Sequence, residues 1–428
     1  MIKILDMKRV SENEIFLRGL SEPDVFAPVA EIIAEVRARG DAAVLDFTEK
    51  FDGVRPASLE LAPEEWDSAV DSVEPEFMDI LREAAENIRA YHSRQLKKGY
   101  EIREENGVIL GQKLTPLARV GLYIPGGTAS YPSSVLMNCI PAKLAGVGEI
   151  IMVTPPDKNG GVNACILAAA KVAGVDRIIK CGGAQAVAAL AYGTESIPRA
   201  DKIVGPGNVF VAEAKRQVYG AVDIDMIAGP SEILVISDEK TSPVVLAADM
   251  LSQAEHDKMA TAVLITTDAK LAERTAEELE RQLSELPREE IARASIENNG
   301  KIIIADSIEK AIELSNRIAP EHLELCVDDP FNYLDLIENA GSIFLGRSCP
   351  EPLGDYFAGT NHTLPTGGRA RFSSPLSVDD FVKKSSYTYY TEEALNALCD
   401  KIAGFARREG LEAHARSATI RKRLKGGN

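Results

Sequence analysis

Short apolar segments alternate with helical segments over two consecutive stretches of the chain, and this pattern limits the possible folds more than any other feature. The first alternation follows predicted strands at 108–114 and 119–124 and ends with a predicted helix at 209–218. The second begins with a predicted strand at 232–237 and ends with one at 342–345. Such alternation is typical of βαβ units, in which helices cover both faces of a parallel sheet. We therefore predict an α/β fold with two consecutive incomplete Rossmann-like (parallel sheet) modules and helical N- and C-terminal extensions.

Length, charge and cysteine usage exclude several classes of protein. A chain of 428 residues is too long for one hydrophobic core, so two or more domains are expected. The net charge of −17 argues against a general binder of nucleic acid or of membrane surfaces. The six cysteines are scattered without a Cys-x-x-Cys pair, which is typical of reduced thiols in the cytoplasm. Residues 1–20 mix charged and apolar side chains, so we predict no signal peptide and no membrane segment there.

Glycine-containing loops lie at the ends of predicted strands in the first module. They span 123–127, 182–185 and 205–208, and a helix begins at short range after each one. Open α/β sheets bind ligands at such strand ends, and glycine lets the backbone approach a phosphate or a sugar closely. None of the loops has the G-x-G-x-x-G fingerprint of common dinucleotide-binding folds. Tight turns would explain any one loop, but their succession favours a bound ligand.

Gln253 and His256 lie in a predicted helix at 244–257. Because they are three residues apart, both side chains share one face of the helix. An amide oxygen and an imidazole nitrogen in this arrangement can bind a metal or a polar substrate. A solvated surface pair is the simpler alternative for these two residues alone.

Two further pairs combine a carboxylate with an imidazole. Glu321 and His322 follow a proline that favours the start of an exposed helical turn, and together they can activate water and accept a proton near neutral pH. Asp355 and His362 lie in a stretch rich in glycine and proline at 351–365, and loops on a rigid scaffold often carry functional sites. An acidic helix start and an ordinary solvated loop are the alternative interpretations.

Glu409 and His414 lie in the C-terminal segment, where an exposed histidine is the simpler interpretation. A possible set of metal ligands combines two imidazoles, one carboxylate and one amide, which zinc accepts. Its members are Gln253, His256, Asp355 and His414. The sequence alone does not bring these side chains together, so the metal site is a hypothesis at this point.

Several short motifs occur in order over nearly the whole chain. They are Leu122-Tyr123-Ile124-Pro125-Gly126-Gly127, Gly205-Pro206-Gly207-Asn208, Gly229-Pro230-Ser231-Glu232, Ser252-Gln253-Ala254-Glu255-His256, Ala319-Pro320-Glu321-His322-Leu323 and Gly359-Thr360-Asn361-His362-x-Leu364-Pro365-Thr366. This combination resembles the histidinol dehydrogenase family, and as a combination it is highly specific.

The resemblance implies a homodimeric enzyme of histidine biosynthesis that uses zinc and NAD. It would oxidise L-histidinol to L-histidine in two successive two-electron steps through bound L-histidinaldehyde. The implied zinc ligands are Gln253, His256, Asp355 and His414. The implied acid–base pair is Glu321 and His322. The substrate contacts implied besides the zinc ligands and His322 are Ser231, His362 and Glu409. The implied NAD contacts are Tyr123, Gln185 and Asn208.

The same resemblance implies a mechanism. His322 would take the hydroxyl proton of the substrate while a hydride leaves to NAD. After a second NAD enters, Glu321 would activate the water that hydrates the aldehyde, and His322 would act again as the second hydride departs. One zinc ion per subunit would hold the amino alcohol and orient its carbinol carbon. The segment with Glu409 and His414 would complete the site of the neighbouring subunit.

From these roles we predict four parts of the chain, one of which is made of two separate segments. Residues 1–22 form an N-terminal arm, and 23–122 combine with 231–376 in a catalytic, metal-binding α/β domain. Residues 123–230 form a NAD-binding Rossmann-like domain. Residues 377–428 form a helical C-terminal tail that reaches the partner subunit.

Other functions are compatible with part of this pattern. Aldehyde oxidation through a thiohemiacetal would need an activated cysteine, and Cys349 beside the polar loop is the best candidate. A metal hydrolase could use Glu321 with zinc-bound water, and a non-catalytic protein could use zinc only for stability. A relative with the same scaffold could oxidise a different small polyol. The imidazole contacts of His362 and Glu409 would decide that question, and their presence favours histidinol.

Overall fold

A computed structural model of the chain describes residues 2–9, 24–126 and 131–423. The chain folds into two compact units. The first unit combines Met1–Gln95 with Leu117–Phe381, and the second combines Leu96–Pro116 with Val382–Asn428. Most of the predicted arm at 1–22, and Gly127 of the first predicted loop, lie outside the described residues.

The elements that precede the first parallel sheet are mainly helical. In chain order they are strand β1 (Lys3–Asp6), helices α1 (Phe26–Arg39), α2 (Asp41–Asp52), α3 (Pro63–Asp71) and α4 (Pro75–Ser93), and strands β2 (Tyr100–Arg103) and β3 (Ile109–Pro116). Proline occupies the first turn of α3 and of α4, and Gly53 ends α2 in the left-handed conformation.

The first parallel sheet has the strand order β6-β5-β4-β7-β8. Its elements are β4 (Arg119–Tyr123), α5 (Pro132–Ala145), β5 (Glu149–Thr154), α6 (Ala164–Ala173), β6 (Arg177–Lys180), α7 (Gly183–Tyr192), β7 (Lys202–Val204), α8 (Val209–Val218) and β8 (Asp223–Ile224). The chain adds β5 and β6 on one side of β4 and then returns to add β7 on the other side. This reversal makes a topological switch point between β4 and β7, where open α/β sheets bind ligands.

Helices α1 and α2 pack with this first sheet. Helix α7 is rich in alanine and buried from Ala184 to Ala191, so it needs cover on more than one side. Val29, Ile33 and Val36 of α1 share a buried core with it. The packing therefore differs from the predicted grouping of 23–122 with 231–376. The apolar face of α1 predicts that the helix is buried but not which sheet it covers.

The second parallel sheet has the strand order β1-β11-β10-β9-β12-β13. Its further elements are β9 (Glu232–Ser237), α9 (Pro243–Ala254), β10 (Thr261–Thr266), α10 (Ala269–Leu283), α11 (Glu289–Asn298), β11 (Lys301–Ile304), α12 (Ile308–Ile318), β12 (His322–Cys326) and β13 (Ser342–Leu345). Because β1 pairs with β11, residues 3–6 of the predicted arm form an edge strand of this sheet. A short helix, α13 (Glu351–Tyr356), follows β13. The predicted α/β fold with two parallel-sheet modules is confirmed.

The second unit contains an antiparallel sheet and a helical hairpin. The sheet has the order β14-β3-β2, where β14 is Val382–Tyr389, and the helices are α14 (Glu392–Arg408) and α15 (Glu412–Arg423). The tail predicted as helical over 377–428 therefore includes a strand, and that part of the prediction is wrong. All but the first residue of β14 are exposed, so the strand lacks the alternation of apolar and polar residues by which strands are recognised. Within the described ranges, no helix is long and apolar enough to cross a bilayer.

Candidate active site

A cavity of about 970 Å³ lies at the carboxyl ends of the strands of the first sheet. The loops that follow β4, β5, β6 and β7 all contribute to its wall. Tyr123, Gln185 and Asn208, the residues predicted to contact NAD, all line it. The cavity therefore lies where the topological switch point of the sheet predicts a ligand.

Local geometry fixes these side chains. The Asn208 side chain accepts hydrogen bonds from the backbone N–H groups of Phe210 and Val211, at 3.1 and 3.2 Å, and so caps helix α8. The Tyr123 hydroxyl accepts a hydrogen bond from the Gly183 N–H at 3.0 Å, and burial raises the pKa of this phenol. Both amide atoms of Gln185 are buried without a hydrogen-bond partner among the described residues. A polar ligand would supply the partners that this amide lacks.

A buried ion pair holds the loop that carries Asn208. Lys215 and Asp225 are 2% and 1% exposed and form a salt bridge. The Lys215 ammonium also donates to the Gly205 carbonyl at 3.0 Å, while the Asp225 carboxylate accepts from the Gly205 N–H at 2.7 Å. Gly205 has φ +116°, and a Cβ there would lie 2.1 Å from the Tyr123 carbonyl oxygen, so only glycine fits.

A second cavity, of about 520 Å³, adjoins the first. The two cavities share Pro125, Gly126 and Asn208 in their walls. The second cavity is also lined by every predicted catalytic, substrate or metal-binding residue that belongs to the first unit. These residues are Ser231, Gln253, His256, Glu321, His322, Asp355 and His362. Side chains that are far apart in the sequence are thus brought to one place.

The backbone at the start of β9 orients the predicted acid–base pair. His322 Nδ1 lies 2.9 Å from the Glu232 carbonyl oxygen, and since a carbonyl only accepts, Nδ1 carries a proton, so the neutral form of this imidazole has its lone pair on Nε2. The Glu232 N–H donates to the Glu321 carboxylate at 2.8 Å. Burial raises the pKa of Glu321 well above its usual value, so this group holds its proton to a higher pH than an exposed carboxyl group does.

Asp355 and His362 form a second polar contact in the cavity. His362 Nδ1 lies 3.6 Å from Asp355 Oδ1, and His362 Nε2 lies 3.3 Å from the Ser134 hydroxyl. Burial alone would raise the pKa of Asp355, but the hydrogen bond and charge of His362, followed by the charge of His322, outweigh burial and hold it below its usual value. Asp355 is therefore the ionised carboxylate of the site.

Sequence reasoning missed Glu351. Its Oε1 atom lies 3.7 Å from His322 Nε2, and it is 1% exposed. Burial, and next the charge of Asp355, raise the pKa of Glu351 to about 8. Its position four residues before Asp355, on the same face of a helical turn, was a usable signal. The glycine and proline residues of this stretch concealed the short helix α13.

The donor atoms in this cavity fit a cation. His322, Glu351 and Asp355 offer ligand atoms within 4.8 Å of one another, and His322 Nε2 and Glu351 Oε1 lack hydrogen-bond partners among the described residues. Gln253 and His256 line the same cavity, and burial lowers the pKa of His256, which favours the neutral imidazole that binds metals. The compact cluster shares only Asp355 with the predicted zinc set.

Glu409 and His414 lie in the second unit. Glu409 is the residue that ends helix α14, and His414 lies in the first turns of α15. Both are exposed. Their predicted roles stay predictions.

The cysteines argue against a thiol route. Within the described residues, the walls of the two cavities contain no cysteine. Burial raises the pKa of Cys139 to about 12 and also raises those of Cys181 and Cys326, which disfavours the thiolate. Cys349, the predicted candidate, is partly buried.

Comparisons with known proteins agree with this geometry. A family model described as histidinol dehydrogenase matches residues 18–422. The chain is 56% identical over 404 residues to a histidinol dehydrogenase of Clostridium acetobutylicum, covering 94% of each chain. It is 58% identical over 403 residues to one of Bacillus cereus, again covering 94% of each. A crystal structure of histidinol dehydrogenase from Elizabethkingia anophelis, 38% identical, superposes with a TM-score of 0.94 over 100% of this chain and 99% of that one. The chain therefore belongs to the histidinol dehydrogenase family of oxidoreductases, enzymes of histidine biosynthesis.

Proposed function

We propose that the protein catalyses the NAD-dependent, four-electron oxidation of L-histidinol to L-histidine through bound L-histidinaldehyde, with the assistance of zinc. One observation carries the proposal. The cavity that contains His322 shares a wall with the cavity lined by Tyr123, Gln185 and Asn208. The neutral imidazole of His322 has its lone pair on Nε2. A base and a cofactor site in this arrangement can act on the same carbon atom.

The residues of this chain have distinct roles in the proposed reaction. Bound NAD supplies the hydride acceptor, and bound zinc supplies a Lewis acid that orients the substrate. His322 Nε2 accepts the hydroxyl proton, while the Glu232 carbonyl stabilises the resulting imidazolium through Nδ1–H. The ionised form of Glu321 takes a proton from water for the hydration of the aldehyde, and its raised pKa makes it a stronger base than an exposed carboxylate. His322 releases its first proton to solvent and then accepts a hydroxyl proton of the hydrated aldehyde in the second oxidation.

Gln253, His256 and Asp355 would hold the zinc ion, and the partner subunit's His414 would complete the set. The mixed nitrogen and oxygen donors suit zinc. The substrate would be contacted by Ser231, His362 and the partner subunit's Glu409. His362 and the partner subunit's Glu409 would contact its imidazole ring. Glu351 would hold His322 and Asp355 in place.

The exposed surface of the second unit supports a homodimer. Helix α14 exposes Phe405 and Ile402, with fractions of 69% and 39%, and Leu411 and Ile420 are exposed at 41% and 51%. Apolar side chains in such numbers on a small helical hairpin favour burial against another protein surface. Glu409 and His414 lie on the same hairpin, so burial of this surface would carry them to a neighbouring subunit. The cytoplasmic location stays a prediction.

The first experiment is to measure NADH formed per L-histidinol at limiting substrate, before and after chelation and after zinc is restored. We expect two NADH per substrate, loss of activity on chelation and recovery with zinc. One NADH per substrate would contradict the second oxidation. Metal-dependent hydrolysis without NADH formation would favour the hydrolase alternative, and unfolding on chelation would favour a structural metal.

A mixing experiment tests the shared site. Protein with His322→Ala and protein with His414→Ala should each be inactive. Subunit exchange between them should restore activity, because one of the two sites in the hybrid dimer would contain neither substitution. Tagged subunits would show that exchange has taken place. If activity does not recover after exchange, the intersubunit role of His414 is refuted.

A further inference from the structure

Asp52 is a carboxylate in the wall of the first cavity that no part of the mechanism uses. It is the last residue of helix α2, and it lines the cavity together with Tyr123 and Gln185. Its Oδ2 atom is buried and lacks a hydrogen-bond partner among the described residues. Burial raises its pKa to about 6, so the group is mostly ionised at neutral pH and above. A buried oxygen without a partner in a ligand cavity indicates a ligand that donates hydrogen bonds.

The position of the reactive base determines which half of a dinucleotide would meet Asp52. His322 lies in the second cavity, so the nicotinamide must lie at the wall that both cavities share, which includes Gly126 and Asn208. The adenosine half must then extend into the part of the first cavity away from this wall. Asp52 and Phe51 line only the first cavity.

The surroundings of Asp52 suit an adenosine group. Several apolar side chains of the first cavity can pack against a base, among them Ile32, Phe51, Val162 and Ile166. An ionised carboxylate only accepts hydrogen bonds, and two adjacent ribose hydroxyl groups are two donors. The other carboxylate among the described wall residues, Asp157, is exposed, and its Oδ1 already accepts from the N–H groups of Asn159 and Gly161 at 2.7 and 3.0 Å. Lys158, the cation in the wall, suits the pyrophosphate.

We propose that Asp52 is the specificity-determining residue that selects NAD over NADP. Its carboxylate accepts hydrogen bonds from the hydroxyl groups of the adenosine ribose. A phosphate on the 2′-oxygen would remove one donor and place a negative charge against the buried carboxylate. This inference rests on the proposed function, because it takes NAD as the cofactor of the first cavity.

The test compares Asp52→Asn with Glu49→Gln, which removes an exposed carboxylate from the same helix. For each protein, kcat and KM are measured with NAD and with NADP, and dissociation constants are measured for NADH and NADPH by fluorescence. We expect Asp52→Asn to lower kcat/KM for NAD about tenfold, mainly through KM, and to raise the ratio of NADP to NAD efficiency at least about tenfold. Its melting temperature should not fall, because the replaced oxygen has no hydrogen-bond partner among the described residues and the neutral amide removes a buried charge.

A structural role for Asp52 would lower both efficiencies together and leave their ratio unchanged, and that result would overturn the inference. Glu49→Gln should leave all values unchanged. If the unsubstituted protein forms no NADH from L-histidinol, the proposed function fails. The ratio of NADH to NADPH binding would still test Asp52 in that case.

Discussion

The two cavities lie at opposite strand ends of the two parallel sheets, one at the carboxyl ends and the other at the amino ends. In the first sheet, Tyr123 and Gly205 lie at the carboxyl ends of β4 and β7, where open α/β sheets bind ligands. In the second sheet, Ser231 and Glu321 directly precede β9 and β12, so the cavity lies at the amino ends of the strands. The usual rule for open α/β sheets thus predicts the cofactor cavity and not the reactive one. The amino ends suit proton transfer because the first backbone groups of β9 hold Glu321 and His322.

The two regions also differ in whether their buried charges are balanced by opposite charges. Beside the first cavity, Lys215 and Asp225 compensate each other and hold the Gly205 loop. Beside the second cavity, several carboxylates lie together, and Glu351 and Asp355 each have an oxygen within 3.7 and 3.6 Å of a histidine nitrogen. A compensated pair fixes geometry, whereas a group of like charges raises pKa values and attracts a cation or a proton. This difference supports the proposed division, in which the first region binds the cofactor and the second carries out the chemistry.

The largest effect is expected for His322→Asn. The asparagine amide can still donate to the Glu232 carbonyl, but it provides no basic nitrogen. We expect kcat to fall about 10³-fold, with the dissociation constant of NADH unchanged. A loss of NADH binding in parallel with kcat would mean that the two regions do not divide binding and chemistry as described.

The next largest effect is expected for Lys215→Met, which leaves Asp225 buried without its cation. We expect the free energy of unfolding to fall by about 3 kcal/mol or more, and KM for NAD to rise because the Gly205 loop loses a support. The matched control is Lys171→Met, whose partner Asp67 is exposed, and it should cost less than about 1 kcal/mol. Similar losses for both variants in urea unfolding would contradict a structural role for the buried pair.

A smaller effect is expected for Asn208→Asp. The carboxylate retains the cap of α8 but loses the amide N–H donor that borders both cavities. We expect KM for NAD to rise about tenfold with no loss of stability. Asn208→Ala removes both functions and should in addition lower the free energy of unfolding by about 1 kcal/mol. If both variants keep the KM and the stability of the unsubstituted protein, the side chain acts neither as a donor nor as a cap.

Much of the fold followed from the sequence because buried parallel strands are apolar throughout and alternate with helices. Helix α1 shows where such reasoning ends, since Val29 and Ile33 indicate a buried face but not the sheet that it meets. Strand β14 was missed for the opposite reason, because its side chains are exposed and carry no pattern.

The site was predicted unevenly. Glu321 and His322 are adjacent in the sequence, so their proximity was certain, whereas their contacts with Glu232 depend on the pairing of β12 with β9. That pairing is a long-range contact which no local pattern encodes. Glu351 was missed although its spacing from Asp355 was informative, and its contact with His322 joins α13 to β12, which is also a long-range contact.

The smallest effect concerns Glu324, which lies two residues after His322 on β12 and is 1% exposed. Burial, and next the charge of Asp249, raise its pKa to about 9, and burial raises the pKa of Asp249 to about 6. The folded state therefore favours the protonated form of Glu324, whereas the unfolded chain releases this proton near pH 4.3. The resulting stabilisation is complete below about pH 4 and is lost as the pH rises through about 9.

Glu324→Gln tests whether the like charges of the second region are relieved by protonation. The amide is neutral at every pH, and its oxygen can still accept from the Glu351 N–H, which lies 2.7 Å from the carboxylate. We expect the variant to gain stability relative to the unsubstituted protein by on the order of 1 kcal/mol between pH 5 and pH 9 in urea unfolding. Glu277→Gln, an exposed control on α10, should give no such trend. A constant difference across this pH range would mean that Glu324 stays ionised, and that the second region holds its carboxylates together by some means other than a shared proton.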